Sequence, residues 1–485
     1  MKLSQIFGPE TTVSKGADGV DIVGLTADSR SVKPGFLFAA LPGSKLDGAQ
    51  FVAQALAAGA VAILTGDETV VHADRAVAVV RSSDPRLALA RMSARFYRQQ
   101  PGTIVAVTGT SGKTSTAYFV RQIWAGLGLK AANVGTLGLV KPDGTTVDSL
   151  TTPDPVTLHA MLAELAQNGC EHLAMEASSH GLDQRRLDGV RLAAGAFLNL
   201  GHDHLDYHSD LTDYLQAKLR LFSDLLPEGA AAVINADCPQ VEIVTETAYR
   251  HGLKVMTVGH KGKAIRLVEL RSEGFAQGMV VQHEGERWEL TVPLVGGYQA
   301  TNALIAAALC IGTGCPPDGV FARLETLTGV PGRLEVVGGS RGGMVVIDYA
   351  HKPDALAAAL KALRPLATGK LIVVFGCGGD RDKAKRPVMG QIAMELADQV
   401  IVTDDNPRTE IAQDVRAAIM AAAPGAREIG DRRAAIHEGV ARLGPGDVLL
   451  VAGKGHETGQ YVGFQVLPFS DHQVVAEALA GEAGA

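Results

Sequence analysis

Residues 104–124, IVAVTGTSGKTSTAYFVRQIW, constrain this chain more than any other stretch. Ile104–Val107 is a short, largely β-branched run of the kind that fills a buried strand. Gly109 and Gly112 interrupt it, and from Thr114 onward Ala117, Val120, Ile123 and Trp124 recur at helical spacing. Strand, glycine loop and helix in that order bring backbone N–H groups and the positive end of a helix dipole to one place, which is an anion cradle. Read as a phosphate loop, Gly109, Thr110, Ser111, Gly112, Lys113, Thr114 and Ser115 surround the phosphates of ATP. Lys113 then reaches the β- and γ-phosphates, and the Thr114 hydroxyl ligates Mg²⁺. The competing reading is an accidental Gly-Lys-Thr in a chain with 56 glycines. The full pattern wants glycine where Val107 stands, so the rest of the chain must decide.

A chain of 485 residues is too long for one core, and the usual domain size predicts about three domains. A net charge of −7 without a basic cluster argues against nucleic acid as a partner. Cys170, Cys238, Cys310, Cys315 and Cys377 form no CxxC pair and no zinc spacing, as expected of a chain in a reducing compartment. The start, MKLSQIFGPE, lacks the apolar core of a signal peptide. No window approaches the roughly 18 apolar residues of a membrane span. A cytoplasmic, soluble monomer is expected.

Residues 1–98 alternate strand-like runs (22–25, 36–41, 61–64 and 76–80) with an Ala-rich helix at 52–58 and read as a small α/β domain. Its polar feature, Asp28-Ser29-Arg30, suits either a phosphorylated ligand or a solvated turn. Residues 99–330 form a second α/β domain whose predicted strands end in reactive groups. Glu176 follows the strand 172–175, and His204 lies in GHDHLDYH after the strand 194–200. Ligands of a doubly wound sheet bind outside the carboxyl ends of its strands, so both fall where a metal beside the phosphates would sit. In LTDYLQAKLRLFSDLL, Lys218 occupies the apolar stripe of a helix. Such an ammonium snorkels, is paired, or is chemically altered. A glycine turn and a helix carrying Asn302 follow at 293–309, and Val330-Pro331-Gly332-Arg333 marks a boundary. From 331 to 485, strands at 344–350, 371–376, 399–404 and 447–453 alternate with helices, as in a parallel, Rossmann-like domain. Polar residues again cluster after these strands, which predicts a second ligand site.

The motifs VTGTSGKTS, MEASSHGLDQRRL, NLGHDHLDYH, YLQAKLRLF, DYAHKPDAL, GCGGDRDKAKRP, DDNPRTE and AGKGHE, in this order, resemble the Mur ligase family, MurE type. The likeness spans the chain from Asp28-Ser29-Arg30 to Phe469-Ser470-Asp471, and the family tolerates Val107. Departures are mild: Ser111, Gln299 and Lys352 stand where Asn, Asn and Thr are commoner. The resemblance implies an α/β chain of three domains: one for the UDP-sugar, a central doubly wound P-loop domain for ATP, and a C-terminal Rossmann-like domain for an amino acid. It implies an ATP-dependent ligase that adds meso-diaminopimelate to UDP-N-acetylmuramoyl-L-alanyl-D-glutamate through an acyl phosphate.

Carried over to these positions, Lys113, His204 and Lys218 are catalytic. Two Mg²⁺ ions are implied, one on Thr114 and Glu176, the other on His204 and a carbamate formed on Lys218. Asn302, Arg333 and Asp348 contact the nucleotide, with Tyr349 and His351 beside it. Ser29 sits at the uridine end of the UDP-sugar, and Thr151, Thr152, Ser178, Gln184 and Arg186 line its muramoyl and D-glutamyl portion. Arg381, Asp405, Asn406, Arg408, Gly453 and Glu457 hold the incoming amino acid. Arg408 is the expected reader of its distal carboxylate; the alternative is an ion pair with Glu410. A folate polyglutamate ligase would share the phosphate loop without both the DSR and DDNPR motifs, and a nucleotide-driven switch would need no amino-acid site.

Overall fold

The computed structural model describes residues 1–43, 47–72, 77–201, 203–204 and 207–483. It contains two compact units. The first is Met1–Leu200, His208–Met256 and Leu309–Cys315; the second is Gly201–Tyr207, Thr257–Ala308 and Pro316–Ala485.

The first unit holds two sheets. Strands β1 (Thr12–Val13), β2 (Gly24–Thr26), β3 (Phe36–Ala39), β4 (Ala62–Gly66) and β5 (Ala78–Ser82) pair in the order β1-β5-β4-β3-β2. All pairs are parallel except β1 with β5. The helix Pro85–Tyr97 packs Leu89 and Met92 into this core. Asp84 starts it by accepting the Leu87 N–H, and Pro85 occupies a first-turn position where no N–H is needed. The sheet strands lie where the alternation predicts them, shifted by a residue or two; Ala76, expected to open β5, lies outside the described residues.

The second sheet is built on β6 (Thr103–Thr108), β7 (Ala131–Gly135), β8 (Gly138–Val140), β9 (Thr146–Val147), β10 (His172–Glu176), β11 (Leu192–Phe197) and β12 (Ala231–Asn235). Within this unit the order is β12-β11-β6-β10-β7-β8-β9, and the five strands from β12 to β7 are parallel. A parallel sheet is covered on both faces, which explains why Ile104–Val107 is apolar without alternation and wholly buried. In register, Val107 lies opposite Glu176 on one side and Ala196 on the other. The carboxyl ends of β10, β6 and β11 therefore lie side by side, with the glycine loop, Glu176 and Leu198-Asn199 at one edge. Glu176 closes its strand instead of following it.

The second unit resumes at Thr257, within β13 (Lys254–Gly259), which leads to an antiparallel meander of β14 (Ile265–Glu273), β15 (Ala276–His283) and β16 (Glu286–Val292). The helix Gly297–Gly312 comes next, and from Leu309 it belongs to the first unit. Strands β17 (Glu335–Ser340), β18 (Gly343–Asp348), β19 (Leu371–Phe375), β20 (Gln399–Val402), β21 (Arg427–Glu428) and β22 (Val448–Ala452) then pair in the order β17-β18-β22-β19-β20-β21. Only β17 is antiparallel to its neighbour. Leu356, Leu360, Met389 and Ile419 cover one face, and Ile436, Val440 and Val474 cover the other, the doubly wound arrangement expected from 331 onward. A hairpin of β23 (Gly459–Val462) and β24 (Gln465–Pro468) closes the carboxyl end of the chain before the last helix. Among the described residues no helix is long and apolar enough to cross a membrane.

Candidate functional site

The loop after β6 needs its glycines. Gly109 has φ +151°, and a Cβ there would sit 2.8 Å from the Leu198 Cβ. Gly112 has φ +90° and opens the helix Lys113–Gly126 from the left-handed region, where a side chain is disfavoured. Asn199 straps this loop from the neighbouring strand end. Its Oδ1 accepts the Ser111 N–H at 2.9 Å, its Nδ2 donates to the Ser111 carbonyl at 3.1 Å, and its own carbonyl accepts the Thr110 N–H at 3.0 Å. Asn199 went unrecognised in the sequence although it opens NLGHDHLDYH. Nothing local separates it from a solvated loop residue, because its partners lie 88 positions away.

Lys113 bends back over the loop, its Nζ donating to the carbonyls of Gly109 (2.8 Å) and Thr110 (3.0 Å). Lys218 is 1% exposed, so it does not snorkel. It is paired: its Nζ donates to the same Gly109 carbonyl at 3.0 Å and lies 4.1 Å from the centre of the Tyr214 ring, a cation–π contact. Tyr214 shares a hydrogen bond with the Thr110 hydroxyl at 3.2 Å. Two ammonium groups thus meet at one carbonyl at the root of the loop, and Thr114 and Ser115 are buried in the first helical turn behind it. Positive charge, N–H groups and a helix N-terminus converge there, which suits a polyphosphate.

Glu176 is buried at the end of β10 and accepts the Thr136 N–H at 2.7 Å and the Thr136 hydroxyl at 3.3 Å. Only a glycine at 135 leaves room, since a Cβ there would fall 2.0 Å from Glu176 Oε1. The predicted muramoyl-side residues gather around it. Thr136 meets the Thr151 hydroxyl at 3.3 Å, and Thr152 donates to the Glu176 carbonyl at 2.9 Å and accepts the Ser178 N–H at 3.1 Å. Arg186 donates to the Thr152 carbonyl at 2.7 Å and to Gln184 at 2.8 Å. Thr151, Thr152, Ser178, Gln184 and Arg186, spread over 36 positions, form one polar wall. Ser29 lies apart in a short 3-10 turn, bonded to Gln54 at 3.1 Å, while Asp28 caps the turn and holds the exposed Arg30.

His204 belongs to the second unit and has φ +55°. Its Nε2 lies 3.0 Å from Asp203, which also pairs with Lys352. His202, Leu205 and Asp206 of the same motif lie outside the described residues. Among the described residues, no three His, Cys, Asp or Glu side chains group as a metal centre. The oxygen donors of Thr114 and Glu176 are nonetheless of the hard type that Mg²⁺ prefers, with substrate phosphate and water completing its shell.

Of the nucleotide residues predicted in the second unit, Arg333, Asp348 and His351 gather around Tyr349. Asp348 closes β18 and accepts the N–H groups of Leu334 and Ala350, both at 2.7 Å. Burial pushes its carboxyl up to about 6, against the opposing pull of Arg333 and those two N–H groups. Arg333 stacks 4.3 Å over the Tyr349 ring. Burial lowers the His351 imidazole to about 3, helped by the nearby cations Lys352, Lys385 and Arg333. His351 Nδ1 faces the Tyr349 carbonyl at 2.8 Å; a carbonyl only accepts, so Nδ1 carries the proton. Asn302 is buried and donates to Gln299 at 3.0 Å, so the departure at 299 still orients it.

Past β20 and β22 the predicted amino-acid residues form a compact polar cluster. Asn406 donates to Glu457 at 2.9 Å, Gln460 donates to the Asp405 carbonyl at 2.8 Å, and Tyr349 donates to Glu457 at 3.4 Å. Gly453, at φ +118°, is close enough to Asp405 that a Cβ would stand 2.7 Å from its Oδ2. Arg408 donates to the Gly379 carbonyl at 2.8 Å, and its backbone is bonded to the 459–468 hairpin through Tyr461 and Gly463. The alternative partner Glu410 is already taken. Hydrogen bonds from Arg386, the Asp380 N–H and Lys383 hold its carboxyl at about 2. Arg381 is exposed and joins none of the hydrogen bonds of this cluster among the described residues. Lys454, Arg432 and Asp471 complete the cluster from below. Of these only Lys454 and Asp471 lay in motifs the sequence singled out, and Arg432 carries no local signal at all.

Family profiles match three stretches of the chain: "Mur ligase family, catalytic domain" at residues 21–97, "Mur ligase middle domain" at 107–310, and "Mur ligase, glutamate ligase domain" at 332–455. A protein of Bradyrhizobium diazoefficiens named UDP-N-acetylmuramoyl-L-alanyl-D-glutamate--2,6-diaminopimelate ligase is 55% identical over 99% of both chains. Its namesake from Brucella melitensis is 56% identical over 99% of this chain and 98% of the other. A solved structure of a ligase of the same name superposes with a TM-score of 0.69 at 31% identity, covering 95% of each chain.

Asn199 is the test of the loop geometry. Asn199→Ala removes both side-chain bonds to Ser111, a loss of about 1–3 kcal/mol, and ATP should bind roughly tenfold more weakly by calorimetric titration. Unchanged ATP affinity would show that the strap is dispensable.

Proposed function

The chain belongs to the Mur ligase family, and we propose that it joins meso-2,6-diaminopimelate to UDP-N-acetylmuramoyl-L-alanyl-D-glutamate. It is an ATP-dependent ligase of peptidoglycan precursor synthesis. The observation that carries the choice of amino acid is Arg408: among the described residues it pairs with no carboxylate, because Glu410 is held by Arg386 and Lys383. A planar, permanently charged fork beside a buried carboxylate cluster suits a ligand that carries both a carboxylate and an ammonium at its far end.

A carboxylate is a poor acylating agent. One carboxylate oxygen of the D-glutamyl residue attacks the γ-phosphorus of ATP, the bond to the β–γ bridging oxygen breaks, and ADP leaves. The amine of diaminopimelate then attacks the acyl carbon and loses a proton, and inorganic phosphate departs from the tetrahedral intermediate. Gly109–Ser115 cradle the phosphates, and Lys113 swings from its loop carbonyls to the transferring group, where positive charge counts most. Thr114 and Glu176 would hold one Mg²⁺, and a carbamylated Lys218 would serve a second; bound there, the ions would neutralise developing phosphate charge. Asn302, Arg333, Asp348 and His351 contact the nucleotide. Ser29, Thr151, Thr152, Ser178, Gln184 and Arg186 take the UDP-sugar, and Arg381, Asp405, Asn406, Arg408, Gly453 and Glu457 the amino acid. The corresponding domains are 1–98, 99–330 and 331–485. The enzyme works as a cytoplasmic monomer on these small molecules.

Burial of Lys218 at the root of the loop supports carbamate formation. The neutral amine adds to the carbon of CO₂ and releases a proton, which turns a buried cation into an anionic metal ligand. Lys218→Ala should lose activity, by about 10²-fold or more, and a short carboxylic acid supplied in solution should restore part of it. Full activity of the variant, or a bare ammonium remote from metal in a substrate-bound crystal, would contradict the assignment.

Arg408 sets the choice between diaminopimelate and lysine. A half-buried guanidinium left without its carboxylate disfavours lysine by on the order of 10³-fold in kcat/KM. Competition between the two amino acids measures this directly, and Arg408→Ala should erase most of the margin. Comparable kcat/KM for lysine in the parent enzyme would sink the idea.

A further inference from the structure

We propose that Lys454 is a positioning residue of the amino-acid pocket: it touches no substrate, and it sets Asn406 and Glu457 so that a Glu457 oxygen faces the distal ammonium of the diamino acid. The inference rests on the reading of this cluster as the amino-acid site. Lys454 has no exposed surface, and its Nζ donates to Asn406 Oδ1 and Glu457 Oε2, both at 2.9 Å, with Asp405 Oδ1 at 3.9 Å. An ammonium only donates, so it fixes what faces it as acceptors. Asn406 Oδ1 also accepts the Tyr461 N–H at 3.0 Å. With two donors on that oxygen, the amide cannot be reversed, and its Nδ2 must point at Glu457 Oε2. Glu457 therefore spends one oxygen on Lys454 and Asn406. The other, Oε1, meets the Tyr349 hydroxyl at a long 3.4 Å and is the acceptor presented to a ligand.

The floor beneath this arrangement is rigid. Arg432 and Asp471 are both fully buried and paired at 2.7 Å, and Arg432 also donates to the Ala452 carbonyl at 3.0 Å, two residues before Lys454. Three carboxylates (Asp405, Glu457 and Asp471) thus face two cations (Lys454 and Arg432), and a cationic ligand group restores the balance that a dry site demands. The groups facing Glu457 are Lys454, Asn406 and His456 on one side and Tyr349, Asp405 and Arg432 on the others. Burial pushes the Glu457 carboxyl up, and Lys454, Asn406 and His456 outweigh it, keeping the group below the usual carboxylate range. Without Lys454 the half-buried Glu457 and the buried Asp405, which already repel one another, would lose the cation they share, the Glu457 carboxyl would rise, and the acceptor for the ammonium would be lost at a higher pH.

The test is steady-state kinetics of full-length Lys454→Met, Glu457→Gln and the double variant. Lys454→Met should raise KM for diaminopimelate by roughly 30-fold or more, the scale for truncating one partner of a buried charge pair. KM for ATP and for the UDP-linked substrate should stay within about twofold, the experimental margin for a site that is not touched. The acid limb of kcat/KM for diaminopimelate should move to higher pH, because the Glu457 carboxyl is released upward. Since Lys454 acts through Glu457, the double variant should be no worse than Glu457→Gln alone. That comparison stands even if the single lysine variant does not fold. An unmoved KM and acid limb in Lys454→Met, or fully additive losses in the double variant, would overturn the positioning role. A Glu457→Gln enzyme with unchanged KM for diaminopimelate would instead overturn the reading of the pocket itself.

Discussion

The register of three parallel strand ends is the constraint on which the phosphate site depends. With Val107 held opposite Glu176 and Ala196, the glycine loop, the buried glutamate and Asn199 have no choice but to emerge together. The apolar interior of β6, β10 and β11 makes that register costly to shift, because both faces of a parallel sheet are buried. Local chemistry then sharpens what the sheet has placed. Gly109 and Gly135 provide the Cβ-free positions at which Leu198 and Glu176 approach so closely. Asn199 locks the loop, and two lysines converge on one of its carbonyls.

The second unit solves a different problem, that of keeping charges in a dry place. Among the described residues, Arg432 with Asp471, Lys454 with Glu457, and Arg386 with Glu410 pair the cations that this unit buries, while Asp348 and Asp447 are held by backbone N–H groups. Such pairs add little net stability compared with apolar packing, yet breaking one leaves an expensive orphan. Their value lies in fixing direction. The pairing of Glu410 with Arg386 and Lys383 leaves the Arg408 fork on the Gly379 carbonyl, and the pairing of Lys454 fixes which Glu457 oxygen meets the Tyr349 hydroxyl.

Much of this was legible in the sequence, for identifiable reasons. The strand, glycine loop and helix at 104–124 is a local motif, and the continuous apolar strands after 331 announce a parallel sheet without any partner in view. The cluster of Thr151, Thr152, Ser178, Gln184 and Arg186 was reached only through resemblance, since no periodicity links residues on separate loops. Lys218 illustrates the limit well: its place on an apolar stripe flagged burial, but its partner, the Gly109 carbonyl, lies 109 positions away. Asn199 and Arg432 escaped altogether, because a polar residue after a strand and an arginine at a helix start look like ordinary solvated positions. Strand limits moved by one to three residues where the last apolar residues of a run serve the loop instead of the ladder, as at Leu198 to Leu200.

The claim at the centre of this account is that a substrate carboxylate is activated by direct attack on the γ-phosphorus. Isotope transfer addresses it most directly. With ¹⁸O in the D-glutamyl carboxylate, and ATP and diaminopimelate supplied, one ¹⁸O atom should appear in the inorganic phosphate released per peptide bond formed. Phosphate free of label, with peptide still produced, would mean that the carboxylate never bonded to phosphorus and would contradict the mechanism derived from these sites.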